Sequence, residues 1–170
     1  MYLRNLFVLG LSFCLLAPIA ARAAGRGPST PEERKQALQY IQDFEANPFS
    51  QDAIQEREWV VRWTIEVPDI HLHICILIGR YGKVEKKYVG DFMAAQILSQ
   101  TKFLLQNPDK QDDRLAEYQA GVEGGLRYYE ALVKADPKHR KPMMDDLIKR
   151  REAGTLAQFV KEQAVTECKN

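Results

Sequence analysis

Three side chains that could bind a metal ion lie two residues apart in the segment Ile70–Ile78, which reads IHLHICILI. They are His71, His73 and Cys75. If the segment were a β-strand, alternate residues would point to the same face, so the two imidazoles and the thiol would lie together. Zinc and copper sites use imidazole and thiolate ligands. The segment therefore allows a metal-handling function, with His71 and His73 as candidate ligands.

The same segment also fits a short buried helix that begins after Asp69 and ends at Gly79. In that conformation His71 and Cys75 share a face while His73 points elsewhere, so the candidate ligands separate. A strand would need a second strand to satisfy its backbone, and the sequence offers no convincing partner. We therefore expect a core segment with at least one histidine near the surface, and no bound metal or other cofactor.

The N-terminus indicates that the protein is exported. Arg4 precedes the apolar run LFVLGLSFCLLAPIA, and residues 21–23 (ARA) have the small-x-small form that signal peptidase cleaves. We predict a signal peptide over residues 1–23, a flexible lead over 24–30 and a single helical domain over 31–170. The mature protein would be periplasmic or secreted. No second apolar run follows, so stable membrane insertion is not expected after cleavage.

Only two cysteines, Cys75 and Cys168, would remain after cleavage, because Cys14 lies in the leader. In an oxidising compartment an even pair is most often a disulfide. A bridge across these 93 residues would stabilise the fold by roughly 4 to 5 kcal/mol in the chain-entropy treatment. A disulfide and a metal site exclude each other, since Cys75 cannot be both half of a bridge and a thiolate ligand.

The charge balance gives no reason to expect nucleic acid or an anionic membrane as a partner. The full chain has 24 Lys and Arg against 23 Asp and Glu. Loss of Arg4 and Arg22 would leave 22 basic residues, a net charge of about −1. Affinity for phosphate backbones needs a basic surface, which this composition does not supply.

Start and stop signals predict an all-α fold of about five to six amphipathic helices, arranged as an irregular bundle or a helical-hairpin array. The clearest start is the capping box that opens at Thr30, followed by Ser50 before the second helix. Thr155 and Gln158 have the spacing of another capping box. The predicted helices cover about residues 30–46, 50–67, 91–106, 112–135, 142–153 and 155 onward.

The fourth predicted helix contains the sequence AGVEGG at 120–125, in which each glycine costs nearly 1 kcal/mol relative to alanine. Its small residues fall on two lines of the helix surface, Ala116, Ala120 and Gly124 on one and Gly121 and Gly125 on the other. Such a flat surface predicts close contact with another helix, and Ala94 and Ala95 could supply the partner surface.

The remaining candidate residues are interpreted as structural. Trp59 and Trp63 share a helix face and are expected to anchor the core, beside a second stripe that includes Ile65. The acidic pairs at 112–113 and 145–146 lie near helix starts, where they complement the dipole in solvent. His139 lies in a basic turn expected to be exposed.

The sequence contains no Gly-x-Ser-x-Gly elbow, His-Glu-x-x-His helix or Cys-x-x-Cys pair, so we predict that the protein is not an enzyme.

Residues 128–137, YYEALVKADP, resemble the end of the second helix of a tetratricopeptide repeat. The whole chain resembles small exported bacterial proteins without an assigned activity, which have Pro-Asp-Ile before one cysteine and a second cysteine near the C-terminus. These resemblances imply no catalytic residues. We expect a binding role in the cell envelope, toward another envelope protein or a small apolar ligand.

Overall fold

Local start and stop signals set the helices of this protein. The computed structural model describes residues 26–75, 77–78 and 83–168, which form a helical bundle that contains no β-strand within those ranges. The predicted signal peptide lies outside the described residues. The α-helices are α1 (Pro31–Ala46), α2 (Gln51–Glu66), α3 (Val89–Gln106), α4 (Arg114–Ala135), α5 (Pro142–Glu152) and α6 (Leu156–Glu167). The predicted all-α fold class is confirmed.

Polar caps fix the first two helix starts where the sequence placed them. The Thr30 hydroxyl accepts a hydrogen bond from the Glu33 N–H at 3.1 Å, and the Glu33 carboxylate accepts one from the Thr30 N–H at 2.9 Å. The Ser50 hydroxyl accepts from the Ala53 N–H at 3.1 Å. These bonds satisfy N–H groups that a helix start leaves without intrahelical partners.

The capping box predicted for the last helix is wrong. Gly154 has a φ of +71°, and the turn that follows brings Thr155 back toward the end of α5. The Thr155 hydroxyl therefore donates to the Arg150 carbonyl oxygen at 3.3 Å and makes no capping bond to α6. A left-handed residue at the end of α5 has redirected a side chain that the spacing assigned to α6.

The glycines of α4 bring this helix into close contact with α3. A Cβ atom placed on Gly124 would lie 2.6 Å from the Ala95 carbonyl oxygen, and one on Gly121 would lie 2.6 Å from the side chain of Gln96. The predicted close packing and the role of Ala95 are confirmed. Polar residues of α3 share this interface, which the pattern of small residues did not indicate.

The helix α3 is the centre of the bundle, since α1, α2 and α4 all pack against it. In α2 the core face consists of Ala53, Val60, Trp63 and Thr64. Trp63 is 2% exposed and stacks on Trp59, with ring centroids 5.7 Å apart, so the predicted anchors are confirmed. The predicted second stripe is wrong at Ile65, which remains 75% exposed.

A disulfide fastens the end of α6 to the segment between α2 and α3. Cys75 and Cys168 are bonded, with their Cα atoms 5.5 Å apart. The pairing is the one that the sequence predicted. Among the helices of the described ranges, none combines the length and the apolar character needed to cross a membrane.

Candidate functional site

Of the segment with the candidate metal ligands, residues 70–75 are irregular, and Leu77 and Ile78 are helical. The prediction of a helix that starts after Asp69 is therefore wrong, and the alternative prediction of a strand is wrong as well. Asp69 does not cap a helix. Its carboxylate instead accepts hydrogen bonds from the N–H and hydroxyl of Ser29, at 2.7 and 2.6 Å, and from Arg34 at 2.7 Å.

A buried carboxylate from α4 holds this irregular backbone in place. One oxygen of Glu117 accepts from the His73 N–H at 2.7 Å, and the other lies 2.8 Å from the His73 Nδ1. Glu117 is fully buried. Burial raises the pKa of the Glu117 carboxyl, and the hydrogen bonds from His73 only partly oppose that effect.

Two glutamines from α3 complete a polar cluster around the segment, which we call the Glu117 cluster: His73, Gln96, Gln100 and Glu117. The Gln100 amide donates to the His73 carbonyl oxygen at 3.0 Å, and the Gln96 amide donates to the Cys75 carbonyl oxygen at 2.6 Å. These bonds supply partners that an irregular, partly buried backbone cannot find in its own segment. The cluster positions Cys75 for its disulfide.

The three candidate metal ligands do not come together. His71 is exposed, the His73 Nδ1 contacts Glu117, and the sulfur of Cys75 is bonded to Cys168. Over residues 26–75, 77–78 and 83–168 no group of three His, Cys, Asp or Glu side chains has an arrangement suited to a metal ion.

A second polar cluster joins the segment before α3 to the turn before α5. The His139 Nδ1 lies 3.1 Å from Glu85, and its Nε2 lies 3.0 Å from the Tyr88 hydroxyl. The His139 side chain is only 14% exposed, so its predicted exposure is wrong. The 3₁₀ turn at Pro137–His139 directs the imidazole inward rather than into solvent. Its hydrogen bonds lower the pKa of Glu85 and tie the two segments together.

A groove of about 540 Å³ lies between the C-terminal part of α4 and α5. Val133 and Ile148, from the two helices, give it an apolar floor together with Pro137. Val133 and Ile148 are half-buried and pack against the main core, so the floor is held by the fold. Its volume falls in the range of small-molecule sites.

Tyr129 closes one end of the groove and fixes the turn between the two helices. Its hydroxyl accepts from the Lys141 N–H at 2.7 Å and donates to the Asp145 carboxylate at 2.9 Å. Burial raises the pKa of the Tyr129 phenol, and the Asp145 carboxylate acts in the same direction. Asp145, which was expected to lie in solvent, therefore holds the groove end in place.

No spacing in the sequence indicated the two polar clusters or the groove. The resemblance to a tetratricopeptide repeat covers residues 128–137, which form the α4 side of the groove, but it gave no ligand-binding residue. That resemblance stays a prediction. Comparison with protein-family models, with curated proteins and with solved structures finds no match to this chain.

Proposed function

We propose that this protein is an exported, non-catalytic binding protein whose α4–α5 groove holds a small apolar ligand. The observation that carries the proposal is the groove itself, with its apolar floor at Val133 and Ile148 and its polar end at Tyr129. Binding sites for small molecules are concave and mostly apolar, with a few placed polar groups that orient the ligand.

The Glu117 cluster supports a structural role rather than proton transfer. Both oxygens of Glu117 contact His73, and neither residue lines the groove. A general base must reach the proton that it removes, and these two groups already satisfy each other inside the core. The hydrogen bonds from the Glu117 cluster to the backbone of His73 and Cys75 explain why these polar side chains are there.

Two observations support export. The first 23 residues have the pattern of a signal peptide. The Cys75–Cys168 disulfide is typical of proteins that fold in an oxidising compartment. An envelope protein partner is the alternative occupant of the groove, and the binding experiment separates it from a small ligand.

The experiment is a fluorescence titration of the disulfide-bonded protein with phenylnaphthylamine, a neutral apolar probe. We expect saturable binding that Ile148→Ser weakens by about tenfold or more, because the substitution removes apolar surface from the groove floor. Ile65→Ser is the matched control, since Ile65 is 75% exposed on α2 and outside the groove.

Thermal unfolding of both variants shows whether they remain folded. Equal affinity in wild type and Ile148→Ser, or no saturable binding by the wild type, contradicts the small-ligand proposal. In the second case a pull-down from the periplasm or the culture fluid tests the envelope-partner alternative.

A further inference from the structure

We propose that the groove takes an amphipathic anion, a free small molecule with an apolar body and one acidic head group. The body would lie on the floor formed by Val133 and Ile148, and the head group would lie between Lys134 and Lys149. This inference rests on the proposed function of the groove and adds the chemical class of its ligand.

Three of the six charged residues that line the groove, Glu130, Arg140 and Asp145, have ion-pair partners. On α4, Glu130 accepts a hydrogen bond at 3.0 Å from Arg151. This bond raises the pKa of Arg151, and the nearby charge of Glu152 raises it further. At the turn, Asp145 pairs with Arg140 at 3.3 Å. Glu130 and Asp145 are therefore offset by arginines, whereas Glu152 is exposed and, among the described residues, has no ion pair within 4.0 Å.

The two lysines of the groove lack such partners. Lys134 comes from α4 and Lys149 from α5, so they lie on opposite walls, and both are exposed. Among the described residues neither has an ion pair within 4.0 Å. The groove therefore combines an apolar floor with two unpaired positive charges against the single unpaired carboxylate of Glu152, and this excess of positive charge is complementary to an amphipathic anion.

A second groove, between α1 and α2, has the opposite charge. It measures about 320 Å³ and is lined by Tyr40 and Trp59 together with the carboxylates of Asp52 and Glu56. Burial raises the pKa of Glu56, and the nearby charges of Asp43 and Asp52 raise it further. An anion is repelled there, so charge directs it to the α4–α5 groove.

The experiment compares two probes with the same aromatic body, neutral phenylnaphthylamine and anionic anilinonaphthalene sulfonate. We measure both dissociation constants for wild type, Lys134→Gln, Lys149→Gln and the double variant. Each single substitution should weaken sulfonate binding by about threefold to tenfold, which is the effect of one charge at close range near a surface. Binding of the neutral probe should change by less than about twofold, because its contacts remain.

Lys110→Gln is the matched control, because Lys110 is exposed in the turn before α4, at the end of that helix far from the groove. It should leave both constants unchanged. The sulfonate preference of the wild type should also weaken as salt is raised from low concentration, since the lysines are exposed to screening. Monomeric dodecanoate should displace the sulfonate probe.

The outcomes separate this inference from the proposed function. Saturable neutral-probe binding with an unchanged ratio of the two constants in the double variant overturns the anion inference and leaves the groove as an apolar site. Displacement of the sulfonate by phosphatidylglycerol vesicles but not by dodecanoate overturns the free-molecule inference. If the wild type binds neither the neutral nor the sulfonate probe, both the anion inference and the proposed small-ligand function are overturned.

Discussion

Buried polar side chains decide the path of the chain between α2 and α3. Glu117 and Gln100 both bond to the backbone of His73, and Gln96 bonds to the carbonyl of Cys75. Removing such partners from a buried backbone costs about 1–3 kcal/mol for each group left unsatisfied. The buried Glu117 therefore stabilises the backbone at His73, although burial disfavours the ionised form of its carboxyl.

Asp69 also fixes the path of the chain, at the start of the domain. Its hydrogen bonds join the residues before α1 to the turn after α2. Burial alone would raise the pKa of its carboxyl. Hydrogen bonds from Ser29 and Arg34 outweigh that effect and lower the pKa from 3.8 to about 2. Because the pKa falls on folding, the ionised carboxylate stabilises the native state above the unfolded pKa of 3.8.

We predict that Asp69→Asn lowers the free energy of unfolding by about 1–2 kcal/mol at pH 7, allowing for partial solvent screening. The difference from wild type should shrink as the pH falls from 3.8 toward 2, where the native carboxyl also becomes protonated. Urea unfolding at several pH values measures it. Asp109→Asn, in an exposed turn, should have little effect. A difference that stays constant down to pH 2 contradicts this account.

At the scale of elements, the α3–α4 interface depends on the missing side chain of Gly124. The nearest atoms to a Cβ there include the backbone oxygen of Ala95, which can move only with α3 itself. Helix propensity alone favours alanine over glycine by about 1 kcal/mol. The two effects oppose each other, so the sign of a substitution shows which one is larger.

We predict that Gly124→Ala destabilises the protein by about 1–3 kcal/mol, because overpacking of α3 against α4 exceeds the gain in propensity. Gly90→Ala is the control. Gly90 lies in the first turn of α3 with nothing within 4 Å of an added Cβ, so this change should be neutral or slightly stabilising. Urea unfolding monitored by tryptophan fluorescence gives both values. Stabilisation by Gly124→Ala would contradict the close-packing explanation.

The helices could be predicted because their signals are local. The bonds of Thr30 and Ser50 involve residues three positions away, and the stops at 47–48 and 107–108 are dipeptides. Thr155 is the exception, since its hydroxyl bonds to the Arg150 carbonyl oxygen on the other side of a turn rather than within α6.

The Glu117 cluster and the groove could not be predicted from the sequence, because their residues come into contact only in the folded chain. Glu117 is 44 positions from His73, and no spacing in the sequence indicates that the two are in contact. The groove depends on how α4 and α5 pack on either side of the turn that Tyr129 and Asp145 hold. The side chains were visible in the sequence, but the angle between the helices was not.

At the scale of the whole molecule, the disulfide closes the chain on itself. It joins Cys75, beside the polar cluster, to Cys168 at the end of α6, across a separation of 93 residues. The helix α6 packs against α4 and α5, which form the groove. The crosslink therefore restrains both the segment before α3 and the C-terminal helix, and it removes conformations chiefly from the unfolded chain.

We predict that the Cys75→Ala, Cys168→Ala double variant loses about 4 kcal/mol of stability, because the unfolded chain regains the entropy of an open loop. Urea unfolding measures the loss, and hydrogen exchange should show that protection falls most in α6. Reduced wild type is the matched control, since it lacks the crosslink but keeps both side chains. A thiol assay on the unfolded mature wild type, which lacks Cys14, should find no free thiol. Equal stability of the oxidised and reduced proteins, or two free thiols after export, would show that the bridge does not hold the C-terminal helix in place.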